Sequence, residues 1–330
     1  MAIALSNRLK SFVFAAFFIL PLFLFSSTSA FATFEHEHIS RIVVFPFEAE
    51  TESKDKDLQN AAVNSWWSVR EKLTETKRFL VASRDFMKAK EVFQPRGKLL
   101  PADAIILGRL LEADALVTVF LKEHVLNMRV YETTNGLTLW SGKIALSPAL
   151  PMSRQFGSAA DKLLYQFIAS IPYQGYVIVD PLIGHATYVE NDNLMAKARI
   201  GANSQISKGD DVQLIRVGAI GLKPVFQSGL NIQVYAEGVV TKVDKQVITI
   251  QIDRRQTGAK IKEGALVRVP AEFERLQKAY GLQPDLTKNL AVELYQLNDN
   301  EPTEAQKRRQ PLITSLAFIG NLAFVLLIAF

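Results

Sequence analysis

Apolar positions recur at intervals of three and four residues over much of the first half of the chain, and that spacing is typical of amphipathic helices. The longest such stretch follows Asp57, which stands where a helix would begin. Its apolar stripe comprises Leu58, Ala62, Trp66, Val69 and Leu73. Trp67 falls beside this stripe and is expected to provide a second buried packing face, with an exposed contact as the alternative.

Around this helix the pattern predicts a sheet with covering helices. Ser83 is expected to cap one helix, Pro101 stands near the start of another, and Asn135-Gly136 suits a hairpin turn. The predicted strands are 41–48, 78–83, 114–123, 125–132 and 137–146, and the predicted helices are 84–93, 101–113 and 152–171. We therefore expect an α/β (α+β) layered domain over residues 40–172.

Residues 173–270 change character to short strands and turns without a long helical stripe. The stretch 247–253, VITIQID, alternates with Ile248, Ile250 and Ile252 on one face, which is typical of a half-buried strand. Segments 206–212 and 261–267 share Ile, Gly and Val at identical spacing, as two similar turns that enter strands. Closely spaced strands of this kind favour a small β-barrel-like domain.

Residues 271–310 are expected to form a helix and then a polar, flexible linker. The run 311–330 that follows has no Asp, Glu, Lys, Arg or His over 20 residues, which is the length of a single transmembrane helix. A buried terminal helix is the alternative, whereas an outer-membrane strand disagrees with the lack of alternation. Asn321 lies within this run, where it either pairs two such helices in a homo-oligomer or sits in a solitary helix.

The amino-terminal stretch has the features of an export signal. Arg8 and Lys10 precede a long apolar run, and Ala30-Phe31-Ala32 forms a small-x-small site. We expect a signal peptide over 1–32 that is cleaved after Ala32, with an uncleaved anchor as the alternative. Either reading places the body outside the cytoplasm at a bacterial cell membrane, facing the periplasm or the exterior.

Composition excludes several classes of site. The chain has no cysteine, so disulfides, thiolate metal sites, cysteine nucleophiles and lipidation at a cysteine are all absent. Without residues 1–32 the chain keeps 36 basic and 33 acidic residues, a net charge of about +3, and no basic stripe with interleaved aromatics indicates nucleic acid.

Several stretches between Arg41 and Gly142 resemble the TolB amino-terminal-like domain of bacterial envelope proteins. They are RIVVFPF, RFLVASRDF, ADAIILGRLLEADALVTVFL and RVYETTNGLTLWSG. Similar domains occur in flagellar assembly protein T, in the curli secretion lipoprotein and in activator lipoproteins of penicillin-binding proteins. The resemblance implies a binding and assembly domain rather than an enzyme. The carboxy-terminal part of flagellar assembly protein T is more weakly similar to residues 173–270.

Few residues suggest chemistry. Glu35-His36-Glu37-His38 has metal-ligand character, but it directly follows the expected cleavage site, where chains are commonly loose. Asp210-Asp211 would be an acid/base pair or, more in keeping with a Gly-Asp turn, solvated turn residues. His124 and His185 have no evident partners, and neither a GxSxG elbow nor a phosphate loop is present. We assign no catalytic, cofactor or metal residues.

These observations predict a non-enzymatic, membrane-tethered envelope protein that acts as an assembly or scaffold component by binding other envelope proteins. An appendage such as the flagellum is one setting for it. A regulator of a cell-wall-synthesising enzyme is the alternative, and a hydrolase with scattered acids ranks third.

Overall fold

The computed structural model describes residues 35–49, 55–201, 204–219, 223–227 and 230–281. In this part of the chain thirteen strands and five helices form a mixed α/β structure with two sheets. The strands are β1 (Glu35–His36), β2 (Arg41–Val44), β3 (Leu80–Val81), β4 (Ala115–Lys122), β5 (Val125–Glu132), β6 (Thr138–Ala145), β7 (Gly175–Ile178), β8 (Thr187–Glu190), β9 (Asn193–Ile200), β10 (Asp211–Ala219), β11 (Leu230–Asp244), β12 (Val247–Arg255) and β13 (Leu266–Arg268). The helices are α1 (Lys56–Glu75), α2 (Arg84–Ala89), α3 (Pro101–Leu111), α4 (Met152–Ser170) and α5 (Pro270–Ala279).

The first sheet has five strands in the order β3-β2-β4-β5-β6. Strand β2 is parallel to both β3 and β4, and β4, β5 and β6 form an antiparallel meander. The main core cluster joins one face of this sheet to α1 and α4, and a separate cluster joins the other face to α2 and α3. The predicted covering of a sheet by helices is therefore confirmed.

Local signals define where the helices begin, although α1 starts at Lys56, before Asp57, and α2 ends at Ala89 and not at residue 93. All five residues of the α1 stripe are buried, and Asp55 caps the helix by accepting the Asp57 backbone N–H at 2.9 Å. Ser83 caps α2 by accepting the Phe86 N–H at 3.1 Å. The strand predicted over 78–83 shortens to β3, which forms only two residue pairs with β2.

The second sheet closes on itself. Its path runs β10-β11-β12-β9-β7-β13, and β13 pairs with β10 again, so six strands form a ring. The inward face of the ring is a core of its own, to which the predicted alternation of Ile248, Ile250 and Ile252 contributes. Strand β8 extends the sheet beside β9, and β1 extends it beside β10.

Several contacts join the five-stranded sheet to the ring. The stretch 223–227, between β10 and β11, lies along the edge of β6, where Val225 and Phe226 donate backbone hydrogen bonds to Thr138 and Leu139 at 3.0 and 2.8 Å. In addition, the main core cluster contains Ile215, Val217 and Leu266 from the outer face of the ring. The described residues from Glu35 onward belong to one compact unit.

No helix in the described ranges is both long enough and apolar enough to span a lipid bilayer. The segments expected to be a signal peptide, 1–32, and a transmembrane helix, 311–330, lie outside those ranges, as does Asn321. The helix expected after residue 270 is present as α5, and the linker after it also lies outside the described residues.

Candidate interaction surface

Helix α1 carries a second apolar row besides its buried stripe. Val63 is 55% exposed and Trp67 is 45% exposed, and they lie four residues apart, so both face the same side of the helix. The expectation that Trp67 packs inside is wrong. Neighbouring helical residues point about 100° apart, so only one of Trp66 and Trp67 can face the sheet.

The exposed Trp67 ring is held in place by its neighbours. Trp66 donates its indole N–H to the Val44 carbonyl at 2.9 Å, and its ring lies edge-on to Trp67 with centroids 4.7 Å apart. The Arg70 guanidinium lies 4.6 Å from the Trp66 ring and 5.1 Å from the Trp67 ring. Arg70 also donates to the Ala82 carbonyl at 2.8 Å, which ties α1 to the residue after β3.

The same surface continues onto α2 and the residues after it. The Phe93 ring lies 5.4 Å from that of Trp66. Arg84 and Lys88 place their charges 5.3 and 5.8 Å from the Phe93 ring. We call this surface the tryptophan patch, and it consists of Val63, Trp67, Arg70, Arg84, Lys88 and Phe93.

The patch combines apolar area with positive charge. Burial lowers the pKa of Arg70, although an arginine in a protein stays protonated. Tryptophan and arginine are the residues most enriched among those that dominate protein–protein binding energy. Three cations beside two aromatic side chains suit a partner surface that presents carboxylates around an apolar group. The sequence signal for this surface was the i, i+4 spacing of Val63 and Trp67.

The histidines of the Glu35–His38 stretch do not come together. His36 is 3% exposed, and its Nδ1 lies 2.7 Å from the Glu132 carboxylate while its Nε2 lies 3.3 Å from the Tyr173 hydroxyl. His38 instead stacks on Tyr176 with ring centroids 4.0 Å apart. The expectation that the Glu35–His38 stretch is loose is therefore wrong, because residues 35–36 form β1 on the ring.

The other residues singled out from the sequence also lie apart. Asp210 accepts two hydrogen bonds from Arg275 of α5, at 2.8 and 2.9 Å, whereas Asp211 is exposed at the start of β10. The solvated-turn interpretation thus fails for Asp210, which anchors a helix. His124 and His185 are exposed, and the described residues contain no group of three or more metal-ligating side chains.

No protein-family profile matches the chain, and no curated protein matches it in sequence. The solved structures to which parts of the chain are similar include the following three. The carboxy-terminal domain of LpoB from Escherichia coli is 20% identical with a TM-score of 0.26, over 33% of this chain and 84% of that one. Lipoprotein GNA1162 from Neisseria meningitidis is 16% identical with a TM-score of 0.25, over 39% and 98%.

TolB from Acinetobacter baumannii is 13% identical with a TM-score of 0.24, over 70% of this chain and 63% of that one. Similarities with identities and TM-scores as low as these establish neither the function nor the partners of the chain.

Proposed function

We propose that this chain is a non-enzymatic envelope protein, tethered to a membrane, that holds other envelope proteins by binding them at the tryptophan patch. The observation that carries the proposal is the half-exposed Trp67, fixed between Trp66 and Arg70. A side chain fixed in advance loses little conformational entropy on binding, so its contact area contributes more fully to affinity.

The membrane tether rests on the amino-acid sequence. The uncharged run 311–330 has the length of one membrane-spanning helix, and Lys307, Arg308 and Arg309 precede it at the position of lipid headgroups. Deletion of 311–330 should release the mature protein from the membrane fraction into the soluble fraction. Release of the full-length protein by high salt alone would contradict this tether.

The partner is expected to be acidic at its contact surface. Arg84 and Lys88 are exposed, so they can pair with carboxylates of a second protein. Exposed charges at the edge of an interface mainly raise the association rate, and salt should screen their attraction to the partner. Binding should therefore be slower at 0.5 M than at 0.1 M salt.

The test is crosslinking in the native host. A photoreactive amino acid replaces Val63, at the border of the patch, and the crosslinked partner is identified by mass spectrometry. The variant Trp67→Ala should lower the crosslinking yield by about tenfold or more, because truncation of a central interface tryptophan commonly costs at least about 2 kcal/mol.

The matched control is Ile106→Ala, which removes a 63% exposed apolar side chain from α3, a helix that carries none of the patch residues. This variant should leave the yield unchanged. Equal yields for the wild type and Trp67→Ala would refute the patch as the binding surface. The identity of the partner decides between an appendage, a cell-wall-synthesising enzyme and another envelope assembly.

A further inference from the structure

A cleft of about 420 Å³ lies on the outer face of the ring, on the two hairpins β8-β9 and β11-β12. Its size is that of a small-molecule site. Strands β8, β9, β12 and β11 pair in that order and present two rows of side chains. One row is Tyr188, Met195 and Gln251, and the other is Lys197, Thr249 and Lys242.

A β-bulge shapes the cleft. In the β11-β12 ladder Val240 pairs with Ile250 and Lys242 pairs with Thr249, so Thr241 is an extra residue. Side chains alternate between faces in a regular strand, yet Thr241 and Lys242 both line the cleft. The bulge therefore turns two successive polar side chains toward the same space, as bulges beside binding sites do.

The lining is polar with one apolar area. Met195 is only 7% exposed, so the apolar surface of this row comes mainly from the half-buried ring of Tyr188 beside it. Burial raises the pKa of Tyr188, so its hydroxyl stays neutral and can donate a hydrogen bond. Amide, hydroxyl and ammonium groups make up most of the rest, and they include Asn191, Asn193, Thr241, Thr249, Gln251 and Lys242.

The charges of the cleft balance. The Lys197 ammonium pairs with the Asp180 carboxylate, and this hydrogen bond lowers the pKa of Asp180 and raises that of Lys197. The other two charged residues of the lining, Glu190 and Lys242, have opposite charges. Such a site offers both donors and acceptors without net charge, which disfavours phosphate and nucleotide ligands.

We propose that this cleft binds a short neutral oligosaccharide. Tyr188 would cover the apolar C–H face of one sugar ring, and the side-chain oxygens of Gln251, Thr241 and Asn193 would accept hydrogen bonds from hydroxyl or acetamido groups. This activity is separate from the tryptophan patch, so either proposal can fail while the other stands.

The test titrates the full chain, in a zwitterionic detergent without a sugar headgroup, with triacetylchitotriose, maltotriose and inorganic phosphate. Isothermal titration calorimetry gives the Kd, and saturation-transfer NMR identifies the ligand protons in contact. We expect at least one of the trisaccharides to bind and phosphate not to bind. Failure of both trisaccharides, or binding of phosphate alone, would overturn the proposal.

Variants locate the site. Tyr188→Ala should weaken binding by about tenfold because the aromatic face is lost, whereas Tyr188→Phe keeps the ring and should cost about fivefold at most. Gln251→Ala should cost about fivefold through lost hydrogen bonds. The matched control, Val189→Ala, truncates a 70% exposed side chain that is not in the lining and should change the Kd by less than about twofold. Binding that survives both Tyr188→Ala and Gln251→Ala would place the sugar elsewhere and refute the assignment.

Discussion

Glu272, in the first turn of α5, is a carboxyl group buried within the protein. It is 2% exposed, and burial raises its pKa to about 7 against the opposing effect of Arg78. Within the described residues its Oε2 atom has no hydrogen-bond partner. Below about pH 7 the folded protein therefore favours the protonated, uncharged form of this side chain.

The raised pKa predicts the direction of a pH effect. Between pH 4.5 and about 7 the folded state keeps a proton on Glu272 that the unfolded state releases. The free energy of unfolding should therefore fall as the pH rises through that range. The full shift corresponds to about 3 kcal/mol. Urea unfolding at pH 5 and pH 8 measures the difference in the free energy of unfolding between the two pH values. Glu272→Gln should make this difference smaller.

The exposed Glu274, on the same helix, provides the control for this measurement. Glu274→Gln should keep the pH dependence of the wild type. If Glu272→Gln and the wild type lost equal stability between the two pH values, the assignment to Glu272 would be wrong.

Two turns of the ring show how a repeat in the sequence becomes a repeat in the fold. In segment 206–212 the Gly209 N–H donates to the Val240 carbonyl, and in segment 261–267 the Gly264 N–H donates to the Val177 carbonyl, both at 2.8 Å. The glycine φ angles are +92° and +80°. The Ile and Val residues of both segments are buried in the core of the ring.

Because a side chain at positive φ is strained, alanine at either turn should destabilise the protein. Gly209→Ala and Gly264→Ala should each lower the free energy of unfolding by about 1 kcal/mol. A Cβ at Gly157, in the middle of α4, would meet only Ser65 Oγ at 3.5 Å. Gly157→Ala should therefore stabilise the protein by up to about 1 kcal/mol. Chemical denaturation of the three variants checks the opposite signs, and a stabilising effect at Gly209 would contradict the strain.

At the scale of the whole molecule, the order of elements was predictable and their long-range pairing was not. Periodicity and capping residues predicted α1, α2 and the β4-β5-β6 meander, since these signals act over a few residues. Strand β1 on the ring and stretch 223–227 on β6 depend on partners far away in sequence. The sequence favours burial of both Trp66 and Trp67, with exposure of Trp67 as the alternative, and only the packing of α1 on the sheet decides between them.

The shared core predicts that the two sheets unfold together. The main cluster joins α1 and α4 to residues of β10, β11 and β13, so neither sheet keeps its packing without the other. Native-state hydrogen exchange should give the same opening free energy for β4 and β12 amides, within about 1 kcal/mol. Earlier exchange of β12 throughout the ring would show independent domains instead.

Strand β10 has a mechanical role that follows from its neighbours. β1 pairs with one of its edges, and Asp210, the residue just before β10, binds Arg275 of α5. A force that pulled β1 and α5 apart would therefore act in part on β10. Because the main core cluster includes Ile215 and Val217 of β10, a displacement of this strand would also loosen the packing of the ring against α1 and α4.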